Sequence, residues 1–352
     1  MTLMDCIERI PVRLRETAER KFPTGEGQQR IDEIVIIASG SSYNAAFTAK
    51  IFLEKVCGLK VTLIYPNIFV NYHTYIQEKA MYLFISQGGK TRLVYEGLLL
   101  ARQAGCLTYA MTAQQDCVIA EAADCYVDMG CGEEEYLYRT IGFSATAASV
   151  MLLGASLAVA NGKLETEEYV NLQADLCAAA DNLENIKNNT LEWYERNRFS
   201  LLRRNTMLIS AAGGLWPVAQ ESDIKAMEMV PMMTKSYELE EFIHGPQNAF
   251  HDGMIFILYS QEGEDEDKVR KIASFLKNEI GFCAVVGAAA DENDKKDLKL
   301  IAKSRYFAPL EFITFMQVTA YKMAEARGRD LSRGVNSIVS KYIQKTIERK
   351  EK

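Results

Sequence analysis

Short apolar runs alternate with stretches of helical spacing in the first part of the chain. The run EIVIIAS (33–39) is β-branched and continuous, and the segment after it, GSSYNAAFTAKIFLEKV, has the spacing of a helix. Because strands that are buried on both faces carry continuous apolar runs, this pattern predicts a parallel sheet covered by helices on both sides. Four further runs are predicted to be strands of the same sheet, namely LKVTLIY, AMYLFIS, CLTYAMT and DCYVDMG.

The same order of strand, small-residue turn and helix returns after residue 204. NTMLISAAGG, MIFILYS and FCAVVGA have the composition of buried strands, and Pro217 suits the first turn of the helix LWPVAQESDIKAMEMV. We therefore predict an α/β protein with two copies of one unit, each a doubly wound, flavodoxin-like parallel sheet flanked by helices, with ligands at the carboxyl ends of the strands. The expected boundaries are 1–163 for an N-terminal helix and the first copy, 164–203 for a helical connector, and 204–352 for the second copy with a C-terminal tail.

Composition and charge narrow the range of partners. The chain has 352 residues, of which 48% are hydrophobic, and a formal net charge of -7, and no Lys/Arg run could follow a phosphate backbone. We therefore expect no nucleic acid partner. The eight cysteines are scattered without a CxxC pair and the three histidines without HxxxH, which favours a reducing cytoplasm and no metal site. The apolar stretch 145–162 is shorter than a membrane span, so we expect a buried core helix and no membrane association.

Hydroxyl-bearing residues cluster where two of the predicted strands end. ASGSSYNAA places Ser41 and Ser42 at the start of a helix, and SQGGKT places Ser86, Gln87 and Thr91 at the start of another. Hydroxyls and backbone N–H groups at a helix N-terminus form a site for phosphate or another anion. Neither stretch fits GxxxxGK(S/T) or GxGxxG, so nucleotide recognition of those two kinds is not expected. The alternative is that these residues are ordinary N-caps.

Three charged residues share one face of the first predicted helix in the second copy. Glu221, Lys225 and Glu228 follow an i, i+4, i+7 spacing, and a lysine held between two carboxylates can tune the basicity of Glu228. The alternative is a solvated stripe of salt bridges. His244 stands in a His-Gly-Pro turn further along and is suited to acid/base chemistry near neutral pH.

These motifs together resemble the sugar isomerase (SIS) domain family. ASGSSYNAA, SQGGKT, TIGFSAT and ESDIKAMEMV followed by ELEEFIHGP are similar to the isomerase half of glucosamine-6-phosphate synthase and to the fructosamine-6-phosphate deglycases. The resemblance covers nearly the whole chain and implies two tandem SIS domains. It also implies a phosphosugar isomerase or deglycase, without a cofactor, that moves a proton between C1 and C2 of an aldose, a ketose or an amino-ketose 6-phosphate.

The resemblance places substrate binding in the first copy. The implied contacts are Ser41, Ser42, Ser86, Gln87, Gly88, Thr91 and Thr140. Where the family has SQSGET, this chain has Gly88 in place of the serine and Lys90 in place of the glutamate. Since one hydroxyl contact is lost and one cation is gained, we expect a shifted phosphate or a larger anion.

The resemblance places proton transfer in the second copy. Glu228 takes the role of the glutamate that moves the proton, and Lys225 that of the lysine one helical turn before it. His244 takes the role of the histidine that opens the sugar ring, which in relatives comes from the neighbouring subunit, and this implies a homodimer or a higher homo-oligomer. The tail lysine of the family falls nearest to Lys341, two residues later than the pattern expects.

Further expectations concern the amine and the class of protein. Since the α/β pattern begins near residue 33, we expect no glutaminase domain and favour an amine that leaves over one that enters, while plain isomerisation stays open. The alternative class is a non-catalytic sugar-phosphate sensor. We expect residues 67–78 and 130–140 to border the pocket, with the acids at 133–135 either attracting a cationic amine or forming a solvated loop.

Overall fold

The computed structural model describes residues 2–24, 30–72 and 75–347. Nine strands in these residues form two parallel sheets. The strands are β1 Glu33–Ile37, β2 Lys60–Ile64, β3 Met81–Ile85, β4 Leu107–Thr112, β5 Cys125–Asp128, β6 Thr206–Ala211, β7 Met233–Glu238, β8 Met254–Ser260 and β9 Phe282–Gly287. The α-helices are α1 Leu3–Glu19, α2 Ser41–Lys55, α3 Pro66–Asn71, α4 Arg92–Gln103, α5 Val118–Ala122, α6 Ile141–Ala160, α7 Thr166–Leu202, α8 Trp216–Met229, α9 Glu266–Phe275 and α10 Ala308–Ala326.

The first sheet has the strand order β2-β1-β3-β4-β5. Residues 34–37 of β1 and all of β3 are buried, as strands covered on both faces must be, and this confirms the prediction from their continuous apolar runs. β2 and β3 pair with opposite sides of β1, so the sheet has a topological switch point between β1 and β3. The crevice outside the carboxyl ends of two such strands is where open parallel sheets bind ligands. The two hydroxyl-bearing loops follow these two strands.

The second sheet has the order β7-β6-β8-β9, which places its switch point between β6 and β8. The sequence pattern does not predict the edge strand β7, because its residues are mostly polar. Thr234 and Ser236 of this strand are buried nonetheless, since both are hydrogen-bonded to Asp223 of α8. The Ser236 N–H and hydroxyl donate to Asp223 Oδ2 at 2.9 and 3.0 Å, and this carboxylate therefore fixes β7 against the helix.

The chain divides into two compact units whose boundaries differ from the expected ones. The first unit comprises the described residues of Val12–Cys177 and Arg333–Lys352, and the second unit those of Met1–Pro11 and Ala178–Ser332. The C-terminal tail, which was expected with the second copy, therefore belongs to the first unit. The expected connector is helical, as predicted, but it is one continuous helix, α7, whose residues are divided between the units.

The apolar stretch that could suggest a membrane span forms the core helix of the first unit. Helix α6 is long and apolar enough to cross a bilayer, but 83% of its most apolar window is buried inside the protein. Its glycines allow close packing, because a Cβ added at Gly154 would lie 2.0 Å from Leu53 Cδ2 of α2. The expectation of a buried core helix is confirmed.

Candidate active site

The loop after β1 presents two serines in the first turn of α2. Gly40 is the N-cap residue and has φ 57°, a left-handed conformation that glycine adopts without steric cost. Gly40 occupies the capping position and has no side chain that could cap the helix. Ser41 and Ser42 follow it and stand inside the first turn. Both serines are partly exposed. The N-terminus of α2 therefore combines backbone N–H groups with two hydroxyls at the switch point, which is more than an ordinary N-cap provides.

The loop after β3 is a tight turn that depends on a glycine. Gly89 N–H donates to Ser86 O at 2.9 Å, and Gly89 has φ 60°. A Cβ at this position would lie 2.2 Å from Cys117 Sγ, so both the conformation and the packing require glycine. The Ser86 and Thr91 hydroxyls are 2.8 Å apart, and Thr91 is the N-cap residue of α4 without capping the helix through its own side chain. This turn brings two hydroxyls together at the second helix N-terminus of the crevice.

Gly88 and Lys90 mark the departures from the family motif. A Cβ added at Gly88 meets no atom within 4 Å, so the loop has room for the serine that the family carries there. Lys90 is exposed. It lies between Gly89 and Thr91 in the chain and so adds a positive charge to this loop.

The C-terminal tail pairs with this same loop. Arg92 N–H donates to Lys345 O and Ile347 N–H donates to Lys90 O, both at 2.9 Å, around an antiparallel bridge between Thr91 and Thr346. A carbonyl oxygen of the tail, that of Lys345, thus accepts a hydrogen bond from the backbone N–H group of Arg92, the first residue of α4. Lys341 lies earlier in the tail, exposed at the end of the short 3-10 helix Ser337–Lys341. These two hydrogen bonds attach the tail to a loop of the first unit, to which the tail belongs.

A buried carboxylate, which sequence reasoning did not single out, lies beside Gln87. The Glu134 side chain is fully buried and accepts hydrogen bonds from the backbone N–H groups of Thr140, Ile141 and Gly142 at 2.7, 2.9 and 3.1 Å. Gln87 Nε2 donates to the same carboxylate at 3.0 Å. The expected solvated acidic loop is therefore wrong for Glu134, while Glu133 and Glu135 are exposed as that alternative predicts. An acid a few residues before a helix start is the sequence signal that could have identified it.

Thr140 is placed differently from the other implied contacts. It is the N-cap residue of α6, it has no exposed surface, and its hydroxyl donates to Glu134 Oε1 at 3.1 Å. In the segment 67–78, His73 and Thr74 lie outside the described residues. The first unit thus brings five of the implied contacts to one edge of its sheet, namely Ser41, Ser42, Ser86, Gln87 and Thr91. The Thr140 hydroxyl is instead hydrogen-bonded to Glu134.

The second unit contains a buried lysine between two carboxylates. Lys225 and Glu221 have fully buried side chains and form an ion pair at 3.3 Å, and Lys225 also donates to Glu228. Burial alone would lower the pKa of Lys225, but Glu221 and Glu228 outweigh burial and the pKa is raised. The alternative of a solvated stripe of salt bridges is therefore wrong for Glu221 and Lys225. Glu228 keeps 32% of its side chain exposed and is the member of the cluster that an external ligand can reach.

His244 stands on an exposed turn of the second unit. Its side chain is 61% exposed, and Nε2 lies 2.8 Å from Glu240 Oε1. Gly245, which follows it, has φ 122°, a conformation that only glycine adopts readily, and Pro246 then begins a short 3-10 helix. The Gly-Pro pair thus turns the chain so that the imidazole faces solvent beside a carboxylate. No group of three or more His, Cys, Asp or Glu side chains in residues 2–24, 30–72 and 75–347 is arranged to hold a metal ion.

Comparisons with known proteins identify relatives of this chain. Residues 29–158 match the family model of the SIS domain. Among curated proteins, the glutamine--fructose-6-phosphate aminotransferase (isomerizing) of Chlamydia caviae is 24% identical over 332 residues, which cover 90% of this chain and 52% of that protein. The chain therefore spans about half the length of the curated relatives that it matches.

Solved structures extend the likeness to both units. A candidate phosphosugar isomerase from Clostridium difficile 630 is similar with a TM-score of 0.90 and 25% identity, over 97% of this chain and 98% of that one. The C-terminal domain of glucosamine-fructose-6-phosphate aminotransferase from Francisella tularensis has a TM-score of 0.83 and 19% identity, over 94% of this chain and 98% of that one. At its lower identity, the second structure shows the fold alone.

Proposed function

We propose that this chain, whose residues 29–158 match the SIS domain model, is a phosphosugar isomerase-type enzyme with two tandem copies of the SIS fold. The observation that carries the proposal is the cluster of Glu221, Lys225 and Glu228 in the second unit. A buried ammonium group shared by two carboxylates, one of them partly exposed, is a costly arrangement that stability alone does not favour. It is suited to hold a carboxylate base in a defined place.

We propose that Glu228 moves the proton between C1 and C2. Interconversion of an aldose and a ketose needs one base that takes a proton from C2 and returns it to C1. The side chain of Glu228 is partly exposed and hydrogen-bonded to Lys225, so the base is both reachable and oriented. Because Lys225 also pairs with Glu221, its ammonium group is held between the two carboxylates and fixes the position of the Glu228 side chain.

We propose that the first unit holds the phosphate. Ser41, Ser42, Ser86 and Thr91 place hydroxyls at two helix N-termini, and Lys90 adds a nearby cation. The phosphate then acts as a handle, because the binding free energy of a remote group can position the reacting carbons. Lys341 is only four residues before Lys345, which pairs with the loop, so at most about 14 Å of chain separates them. This distance supports a role for Lys341 near the substrate.

We propose that His244 opens the sugar ring in a homodimer, from the neighbouring subunit. The support is its 61% exposure on the Gly-Pro turn and its contact with Glu240, which can orient the ring. A side chain that is so exposed in one copy of the chain can reach the site of a second copy that packs against it. A cytoplasmic enzyme of this kind needs no cofactor for proton transfer between neighbouring carbons.

Within this class, release of an amine from a 6-phosphofructosamine or an amino-sugar 6-phosphate is the reaction to test first. The support is the similarity to proteins whose names describe an aminotransferase that also isomerises. Plain isomerisation of a hexose 6-phosphate is the second reaction to test. The departures at Gly88 and Lys90 agree with an anion that differs from the family's usual one.

A thermal-shift panel with a product assay tests the proposal. The panel contains hexose 6-phosphates, amino-sugar 6-phosphates and 6-phosphofructosamines, and each compound that stabilises the protein is then incubated with it and assayed for free amine and for the isomeric sugar. We expect stabilisation by at least one class and product formation from it. Tight binding without any product supports a sugar-phosphate sensor, and stabilisation by none of the compounds contradicts the proposal.

A further inference from the structure

Glu134 occupies a position that would otherwise be a third anion site at the crevice. Helix α6 is 20 residues long, and three of its N-terminal backbone N–H groups donate to the Glu134 carboxylate. The Thr140 hydroxyl donates to it as well. Arg139 stabilises the loop between Glu134 and α6 by donating hydrogen bonds to the carbonyl oxygens of Glu134 and Tyr136, each at 2.9 Å. The positive end of this helix is therefore already neutralised from within the chain.

The same carboxylate fixes the side chain of Gln87. A carboxylate only accepts hydrogen bonds, so the atom of Gln87 that lies 3.0 Å from Glu134 Oε2 must be the amide nitrogen. The amide oxygen then faces Gly142, where an added Cβ would lie 2.0 Å from Oε1. Gln87 is therefore held by a hydrogen bond on one side and by close packing on the other, and its carboxamide has one orientation.

We propose that Glu134 is a positioning residue for phosphosugar binding, which acts through Gln87 and confines the phosphate to the loops after β1 and β3. The inference rests on the proposed function. A phosphate next to the α6 N-terminus would meet the Glu134 carboxylate and no free N–H group of residues 140–142, so that helix does not attract the anion. The hydroxyls of Ser41, Ser42, Ser86 and Thr91 remain as the anion site, with the Gln87 amide oriented beside them.

The first test is Glu134→Gln, which keeps the volume of the side chain. In the wild type both carboxylate oxygens accept hydrogen bonds, whereas the carboxamide of the variant has one accepting oxygen and an NH₂ group. This NH₂ group must face N–H donors, so either Gln87 or the start of α6 loses its acceptor. Because an unsatisfied buried polar group is costly, we expect KM for the sugar phosphate to rise by about tenfold or more with kcat changed by less than about threefold. A variant with reduced thermal stability and an unchanged KM would show a structural role only.

The second test displaces Gln87 without touching Glu134. In Gly142→Ala the new methyl group overlaps the Gln87 amide, while alanine is favoured over glycine inside a helix. We expect a rise in KM in the same direction as for Glu134→Gln, with little loss of thermal stability. The matched control is Gly154→Ala on the same helix, whose methyl group overlaps Leu53 in the core. The control is expected to lower thermal stability and to leave KM unchanged.

Binding of inorganic phosphate and of fructose 6-phosphate, measured by calorimetry on the full chain, separates the possible failures. If the wild type binds neither probe and no compound of the thermal-shift panel stabilises it, the proposed function fails and this inference fails with it. If the wild type binds and both Glu134→Gln and Gly142→Ala bind equally well, only the inference is overturned. A KM change in Gly154→Ala as large as in Gly142→Ala also overturns it, because general loosening of α6 would then explain the effect. Weaker binding in the two pocket variants alone supports it.

Discussion

Glu134 in the first unit and Glu228 in the second unit are two carboxylates with opposite surroundings. Glu134 is fully buried and accepts from three backbone N–H groups, a hydroxyl and an amide. Glu228 is one-third exposed, and it is paired with a single buried lysine that it shares with Glu221. A carboxylate whose lone pairs are all in use can hold other groups in place, whereas one with an exposed oxygen can take up a proton. This difference agrees with the two proposed roles, a positioning residue for Glu134 and the proton-transferring base for Glu228.

The two units also differ in the residues at their switch points. In the first unit, serines and a threonine follow the strands on either side of the switch. In the second unit, β6 is followed by Ala212 and Gly213, which carry no hydroxyl. Under the proposed function, the first copy holds the anion and the second copy carries the acid/base groups, because function depends on the residues at the strand ends and not on the sheet.

The largest effect is expected from Glu228→Gln. The amide keeps the shape of the side chain but cannot take up the proton, so kcat should fall by about 10²- to 10⁴-fold, with sugar-phosphate binding largely retained. Steady-state kinetics on a substrate found with the panel, together with calorimetric binding, check this. Full activity of this variant would remove Glu228 from the mechanism.

The next largest effect is expected from Lys225→Met. The change leaves Glu221 buried without its cation, and removing one partner of a buried ion pair costs about 3–5 kcal/mol of stability. Chemical denaturation measures the loss. In the double variant Lys225→Met/Glu221→Gln the buried charge is also gone, so we expect part of the stability to return. A double variant that is as unstable as the sum of both single changes would contradict the pairing.

A smaller effect is expected from the tail. Ile347→Pro removes the N–H group that donates to Lys90 O, while the matched variant Ile347→Ala keeps it. Since a backbone hydrogen bond contributes about 1 kcal/mol, the proline variant should raise KM for the sugar phosphate about fivefold. The alanine variant should not, and equal KM values for the two variants would show that the pairing does not shape the loop after β3.

The smallest effect is expected in the pH dependence of stability. The pKa of Lys225 is raised above its usual 10.5 in the folded protein, so its contribution to stability is complete below that pH and is lost as the pH rises through the higher folded value. The difference in unfolding free energy between the wild type and Lys225→Met/Glu221→Gln, which leaves no unpaired buried carboxylate at position 221, should therefore be constant between about pH 6 and 9 and should shrink only above about pH 10.5. A decline that begins near neutral pH would point to another group.

The sequence predicts the strands and loops that depend on continuous apolar runs, which is why β1, β3 and their serine-bearing loops are where the pattern placed them. It does not predict β7, because an edge strand can bury polar residues such as Thr234 and Ser236 when a partner like Asp223 satisfies them. It does not single out Glu134 either. Three consecutive glutamates look alike in a sequence, and only the packing at the start of α6 decides that the middle one is buried.

The most direct test compares Glu228→Gln and Glu134→Gln on one sugar phosphate, with kcat, KM and the dissociation constant measured for each. The account predicts that Glu228→Gln loses turnover and keeps binding, and that Glu134→Gln keeps turnover and loses affinity. If both variants change the same parameter to the same extent, or if the two effects are exchanged, the division of roles between these carboxylates is contradicted.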